Sequence, residues 1–100
     1  MLFMYIHTHS PERCLAGSPE LRDLMTGFYE AVEKAGAKIL TNYAAGPEHK
    51  FYITLEIPDQ MALQVLMRDP ASARWSAWGN AQLIPVFPVE LGAPAAQANT

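Results

Sequence analysis

The chain has 100 residues, of which 50% are hydrophobic and 17% are charged, and its formal net charge is −3. These values predict one globular domain, residues 1–91, followed by a disordered tail, residues 92–100, that has no apolar periodicity. The seven lysines and arginines form no basic patch for nucleic acid, and no apolar run approaches the roughly 20 residues of a membrane helix.

The first part of the chain predicts a strand and then a helix. Residues 2–9 alternate in the manner of a strand, which ends at Pro11 because proline donates no backbone hydrogen bond. Ser18, followed by a proline and a glutamate, is typical of a helix start. Apolar residues then recur at helical spacing as far as Gly36, so we expect a helix over 18–35.

A hairpin is predicted next. Residues 37–43 and 49–57 have strand character and flank a turn that contains glycine and proline. The second of these strands alternates clearly. One set of its side chains is apolar (Phe51, Ile53, Leu55 and Ile57), and the other set projects from the opposite face (Tyr52, Thr54 and Glu56).

The last part of the chain predicts a second helical region and a fourth strand. Asp59 is the expected N-cap, and the helix carries a short apolar stripe made of Met61, Ala62, Val65 and Leu66. Residues 69–70 interrupt it, with a further helical turn or two over 71–78. The strand predicted over 82–89 contains two prolines, which favours an edge position.

The predicted order is β-α-β-β-α-β, as in the ferredoxin-like split βαβ fold. We therefore expect an α+β domain with a four-stranded antiparallel sheet and two helices on one face. The other face is expected to be open and, by alternation, to carry Phe3, Tyr5, His7, His9, Tyr52, Thr54 and Glu56. Because monomers rarely expose such a surface, a homodimer that packs through this face is expected.

Histidines and the single cysteine form the main candidate site. His7 and His9 lie two residues apart on the first strand, so their rings point to one face, roughly 7 Å apart at Cα. Cys14 follows within a turn, and His49 begins the strand expected to pair antiparallel with the first. Imidazole and thiolate suit Zn, Cu, Ni or Fe, so these four residues predict a transition-metal site. Alternatively, the histidines are half-exposed on a dimer-facing sheet and the cysteine is a small buried loop residue.

A second hypothesis is an acid/base pocket made of His7, Tyr52 and Glu56. Histidine titrates near neutrality, and burial raises the pKa of a glutamate toward the same range. Such a trio would move a proton beside a carbonyl of a small, fairly apolar molecule, as in an isomerase or a cofactor-free oxygenase. The competing interpretation of Glu56 is a solvated strand residue.

Two tryptophans and the single cysteine give further indications about packing and about cellular location. Trp75 and Trp78 are three residues apart, so they share one side of a helical turn. They either wall a ligand pocket or, as is more common, cap a core or a dimer contact. One cysteine makes no internal disulfide, and the first residues lack the basic start and cleavage site of a secretory signal, which favours the cytoplasm.

Two short motifs and the predicted order carry a family resemblance. Residues 7–14 contain a His-Thr-His stretch followed by a glutamate and a cysteine, and residues 46–49 form a Gly-Pro-x-His turn. Over residues 1–90 the chain resembles the dimeric α+β barrel superfamily, which includes muconolactone isomerase-like proteins. It is most similar there to short, uncharacterised bacterial members that share both motifs. The resemblance implies the ferredoxin-like dimer but no single activity, since the superfamily includes isomerases, cofactor-free oxygenases, haem-degrading enzymes and metal-binding proteins. Many short members lack the Trp75–Trp78 segment.

Overall fold

Four strands and three helices make up the computed structural model, which describes residues 1–89. In chain order they are β1 (Leu2–Thr8), α1 (Pro19–Lys34), β2 (Lys38–Ala45), β3 (Lys50–Glu56), α2 (Gln60–Arg68), α3 (Pro70–Ala77) and β4 (Asn80–Val86). The strands form one open antiparallel sheet in the order β2-β3-β1-β4. The predicted α+β class and four-stranded antiparallel sheet are confirmed. The tail predicted over 92–100 lies outside the described residues.

Each helix begins at a side-chain cap that the sequence contains. The Ser18 hydroxyl accepts a hydrogen bond from the first turn of α1. The Asp59 carboxylate accepts one from the amide of Ala62 at 2.8 Å, and the Asp69 carboxylate accepts one from the amide of Ala71 at 2.9 Å. Asp69 also follows the last residue of α2, so the predicted interruption separates two distinct helices.

The helices cover the face of the sheet that carries His7, so the predicted assignment of faces for β1 is wrong. In the register of β1 and β3, His7 is opposite Phe51 and Tyr5 is opposite Ile53. Directly opposite residues of an antiparallel pair project to the same side. The apolar set of β3 is buried, and β1 must therefore bury its own odd-numbered residues against the helices, with exposed fractions of 7% for Phe3, 1% for Tyr5 and 0% for His7.

The open face carries the other set of side chains. Its residues on β1 are Leu2, Met4, Ile6 and Thr8, and on β3 they are Tyr52, Thr54 and Glu56. The Thr41 hydroxyl of β2 donates a 2.7 Å hydrogen bond to the Thr54 hydroxyl across this face. Tyr43 and Ile84, which lie opposite Tyr52 and Met4, extend the face onto the outer strands.

The core lies between the sheet and the helices. Its largest fully buried side chains from the helices are Trp75, Phe28, Leu66 and Val32. Helix α2 buries Ala62 and Leu66, whereas Met61 is 69% exposed and Val65 is 44% exposed, contrary to the predicted stripe. Ala62 and Leu66 are four residues apart and form one row along this nine-residue helix, which faces the core. Met61 and Val65 form the neighbouring row, which is turned about 100° away from the first. Among residues 1–89, none of the helices has both the length and the hydrophobicity that crossing a bilayer requires.

Strand β4 lies at an edge of the sheet, beside β1. The two prolines of this segment predicted an edge position, which is confirmed, although the strand covers Asn80–Val86 and ends before the predicted 89. Pro85 lies within the strand, opposite Phe3. Because β4 runs antiparallel to β1, the end of α3 lies close to the end of β1.

Candidate metal centre

Three of the four predicted metal ligands converge at one end of the sheet. One ligand atom from each of His9, Cys14 and His49 lies within 4.8 Å of the other two. His9 is buried, and the other two side chains are partly exposed. They come from three separate segments: the residue after β1, the loop before α1 and the residue before β3.

The pairing of β1 with β3 positions the two histidines. The last pair of the ladder is Thr8 with Lys50, and the His9 amide then donates a 3.1 Å hydrogen bond to the His49 carbonyl. The two rings meet edge to face, with centroids 5.3 Å apart and planes inclined at 79°. The strand register that forms the sheet therefore also sets the spacing of these two imidazoles.

His49 adopts an unusual backbone conformation. Its φ of 55° and ψ of 48° are left-handed, and it is the one non-glycine residue among 1–89 with a positive φ. Its amide donates to the Gly46 carbonyl at 3.1 Å and closes the turn before β3. This conformation costs an L-residue about 1 to 2 kcal/mol, and strained residues cluster at functional sites.

Trp78 holds both His9 and the loop that carries Cys14. Its ring stacks on the His9 ring, with centroids 4.3 Å apart and planes inclined at 17°. Its indole Nε1–H donates a 2.7 Å hydrogen bond to the carbonyl of Arg13, the residue before Cys14. Of the two roles that the sequence left open for Trp78, the structure shows both, because the side chain packs in the core and also lines the cavity beside the ligands.

Gly79 allows the chain after α3 to lie close to the end of β1. A Cβ atom at this position would overlap the Thr8 carbonyl oxygen and would lie 3.0 Å from Cε1 of His7. The connection between α3 and β4 can therefore contact the end of β1 only with glycine here. This close contact places Trp78, the preceding residue, against His9.

The His9 ring is in the chemical state that metal binding requires. Both of its nitrogens are buried and have no hydrogen-bond partner among residues 1–89. Burial lowers the pKa of His9, and the neighbouring His49 lowers it further, so the ring is neutral near pH 7. A buried polar group without a partner costs about 1 to 3 kcal/mol, which a bound ion would offset.

His7, the fourth predicted ligand, is not in this group. Its ring packs against the indoles of both Trp75 and Trp78, with centroid distances of 4.6 and 4.9 Å. Its Nε2–H donates a 3.0 Å hydrogen bond to the Trp75 carbonyl. Burial lowers its pKa to about 4, although that hydrogen bond acts in the opposite direction. His7 is therefore a neutral core residue that packs beside the candidate ligands.

The structure does not bring together the predicted acid/base trio. His7 faces the helices, whereas Tyr52 and Glu56 alternate onto the open face of the sheet. The Tyr52 hydroxyl donates a 3.4 Å hydrogen bond to Glu48, and the Glu56 side chain is 47% exposed. The sheet itself separates the imidazole from the phenol and the carboxylate.

A cavity of about 290 Å³ opens beside the three candidate ligands. His9, Cys14 and His49 all form part of its wall. The remainder of the wall is mostly apolar and includes Ala16, Leu21, Ala44, Ala45, Phe51 and Trp78. Lys50 also borders it.

Comparison of the chain with protein-family models and with curated proteins found no match in either group. The chemistry of the site is therefore inferred from its own residues. Those residues form a compact His/Cys/His group with a neutral, buried imidazole and an adjoining apolar cavity.

Proposed function

We propose that this protein binds a transition-metal ion through His9, Cys14 and His49. The observation that carries the proposal is the buried His9 ring, whose two nitrogens have no partner in the described part of the chain although a thiol and a second imidazole lie within 4.8 Å. His7 differs in one nitrogen: its Nε2–H donates to a backbone carbonyl and only its Nδ1 lacks a partner, whereas both nitrogens of His9 lack one. A histidine that served only for packing at position 9 would be expected to bond at least one of its ring nitrogens.

The ligand types favour Zn or Cu among the first-row ions. Two neutral imidazoles and one thiolate form a borderline-to-soft donor set, which suits these ions better than Mg or Ca. At the usual Zn–N and Zn–S lengths, the nitrogen and sulfur atoms of a tetrahedral site lie about 3.3 to 3.6 Å apart. The group observed within 4.8 Å then needs to contract by at most about 1.5 Å, and rotation of the partly exposed Cys14 and His49 side chains can supply this movement.

Metal titration of untagged, chelator-treated protein tests the proposal. Calorimetry with Zn²⁺, Cu²⁺ and Ni²⁺ should show one ion bound per chain for at least one of them. At 1,000 times the Kd, that ion should raise the free energy of unfolding by about 4 kcal/mol. Absence of a one-to-one complex with all three ions, together with unchanged stability, would refute the proposal.

Matched variants identify the ligands. Cys14→Ser and His49→Gln should each weaken binding at least about tenfold, because each removes one donor to the ion. His7→Phe is the control, because it removes a neighbouring histidine that is not in the group and keeps an aromatic ring against the two tryptophans. If His7→Phe abolished binding while Cys14→Ser did not, the proposed ligand set would be wrong.

We also infer that the fold is the ferredoxin-like split βαβ fold of the dimeric α+β barrel superfamily, assembled as a homodimer. Support comes from the sheet order β2-β3-β1-β4 and from the apolar residues of the open face, which include Leu2, Met4, Ile6 and Ile84. A second copy would cover this face with the same surface about a twofold axis. The proposed thiolate ligand requires a reduced Cys14, which agrees with a cytoplasmic location.

A further inference from the structure

The proposed metal centre has three protein ligands and not four. Among residues 1–89, the group of His, Cys, Asp and Glu side chains able to share one ion consists of His9, Cys14 and His49. Structural zinc sites are closed by four protein ligands, whereas sites with three keep one position for water or an exogenous ligand. An ion held here would therefore keep a position for a ligand from outside the protein.

A ligand at that position would come from the cavity of about 290 Å³ beside the three residues. All three candidate ligands lie in the cavity wall, so an ion bound to them would sit at the boundary of this space. The volume is at the lower end of the range of about 300 to 1,000 Å³ that is typical of small-molecule sites. The occupant is consequently a small molecule that contacts apolar side chains such as Leu21, Phe51 and Trp78.

The net charge of the metal-loaded site indicates the polar group of the small molecule. Two neutral imidazoles, one thiolate and a divalent ion carry a net charge of +1, because a coordinated thiol is deprotonated. Among residues 1–89, none of the residues that line the cavity is acidic. A ligand with one negative charge neutralises the centre, and a hydrocarbon body fills the apolar space.

We propose that the metal-loaded site binds small monocarboxylates with an apolar body, such as a short fatty acid. The carboxylate oxygen coordinates the ion, and the hydrocarbon part lies against Leu21, Ala44 and Trp78. This inference rests on the proposed metal binding by His9, Cys14 and His49. It adds the chemical class of the ligand that completes the coordination.

Cobalt provides a probe that separates the two proposals. The chelator-treated protein is first loaded with Co²⁺, whose thiolate charge-transfer band reports the bond to Cys14. Hexanoate, acetate and hexanamide are then titrated while the d–d bands of the ion are recorded. Hexanoate should change these bands and bind at least about tenfold more tightly than acetate, because of its four additional methylenes. Hexanamide, which lacks the charge, should leave the bands unchanged.

A cavity variant localises the hydrocarbon part. Ala44 is exposed and lies opposite Phe51 in the register of β2 and β3, so Ala44→Phe places a ring in the cavity. This substitution should reduce the ratio of the acetate Kd to the hexanoate Kd toward one. Ala73→Phe, on an exposed position of α3, is the matched control and should keep the preference of the parent protein.

The outcomes distinguish the two proposals. If Co²⁺ binds with its charge-transfer band but hexanoate causes no spectral change, or binds no better than acetate, the carboxylate inference is overturned and the metal site stands. An unchanged preference in Ala44→Phe likewise overturns it, because the hydrocarbon part would then lie elsewhere. If Co²⁺ does not bind at all, the metal site itself is refuted, and the carboxylate inference with it.

Discussion

The backbone amide of His9 donates a 3.1 Å hydrogen bond to the carbonyl of His49 and extends the β1–β3 ladder by one pair beyond Thr8 and Lys50. The two imidazoles therefore belong to the sheet framework, and their separation follows from strand register. Cys14 joins them from a loop, and Trp78 fastens that loop through the Arg13 carbonyl. The contribution of each of these residues to metal affinity or to stability can therefore be measured separately.

Replacing His49 should separate metal affinity from folding. Both His49→Gly and His49→Ala remove an imidazole and should weaken metal binding at least about tenfold. The left-handed backbone at this position suits glycine and strains alanine. We expect metal-free His49→Gly to unfold with a free energy about 1 kcal/mol higher than that of His49→Ala, measured by urea denaturation. Equal stabilities of the two variants would contradict the assignment of strain to this residue.

Trp78 should act on the metal site through its two contacts. Trp78→Phe keeps a ring against His9 but loses the hydrogen bond to the Arg13 carbonyl, which releases the loop before Cys14. We expect about a tenfold weaker metal affinity, measured by calorimetry, as for other residues that orient ligands.

Trp75→Phe is the matched control for this variant, since within residues 1–89 the Trp75 indole nitrogen has no partner and the side chain does not line the cavity. It should lower the stability of the core by a measurable amount while the metal affinity stays within about threefold of that of the parent. Equal effects of the two substitutions on affinity would remove the specific role assigned to Trp78.

Stability of the metal-free protein should fall as the pH is lowered from 6.5 toward 4. The His7 pKa is lowered from 6.5 to about 4 in the folded state, because the ring is buried. Between these values the unfolded chain binds a proton that the folded chain does not, so acid favours unfolding. A shift of this size corresponds to about 3 kcal/mol at pH 4, with no further loss from this group below its folded pKa.

Chemical denaturation at a series of pH values, in the presence of a chelator, measures this loss. His7→Phe should show a shallower pH dependence than the parent, because one titrating group has been removed. Some dependence should remain, since burial also lowers the pKa of His9. Identical slopes for parent and variant would show that His7 does not contribute.

The proposed dimer should depend on the open face of the sheet. Ile84 lies opposite Met4 on this face and is 42% exposed. Ile84→Glu would place a charge within the sheet-to-sheet contact and should raise the dimer dissociation constant at least about tenfold, measured by analytical ultracentrifugation. Met61→Glu, on an exposed position of α2, is the control and should keep the dissociation constant of the parent. A monomeric parent protein would contradict the dimer itself.

Local sequence determined where the helices begin. Ser18, Asp59 and Asp69 cap three helices because their side chains reach backbone amides only a few residues away. The alternation of β3 showed which of its faces is apolar. The order of the elements also predicted that His49 would approach His9, since the start of one antiparallel strand lies beside the end of its neighbour.

Tertiary structure alone decided which side of β1 is buried and which residues complete the site. Both faces of β1 carry large apolar groups, so alternation within the strand did not distinguish Phe3 and Tyr5 from Met4 and Ile6. Pairing with β3 made that choice and buried His7 against the two tryptophans, which is why the predicted trio with Tyr52 and Glu56 does not assemble. The contact of Trp78 with Arg13 spans 65 residues of chain. Local patterns carry no information about contacts of that range, because they form only when separate elements pack together.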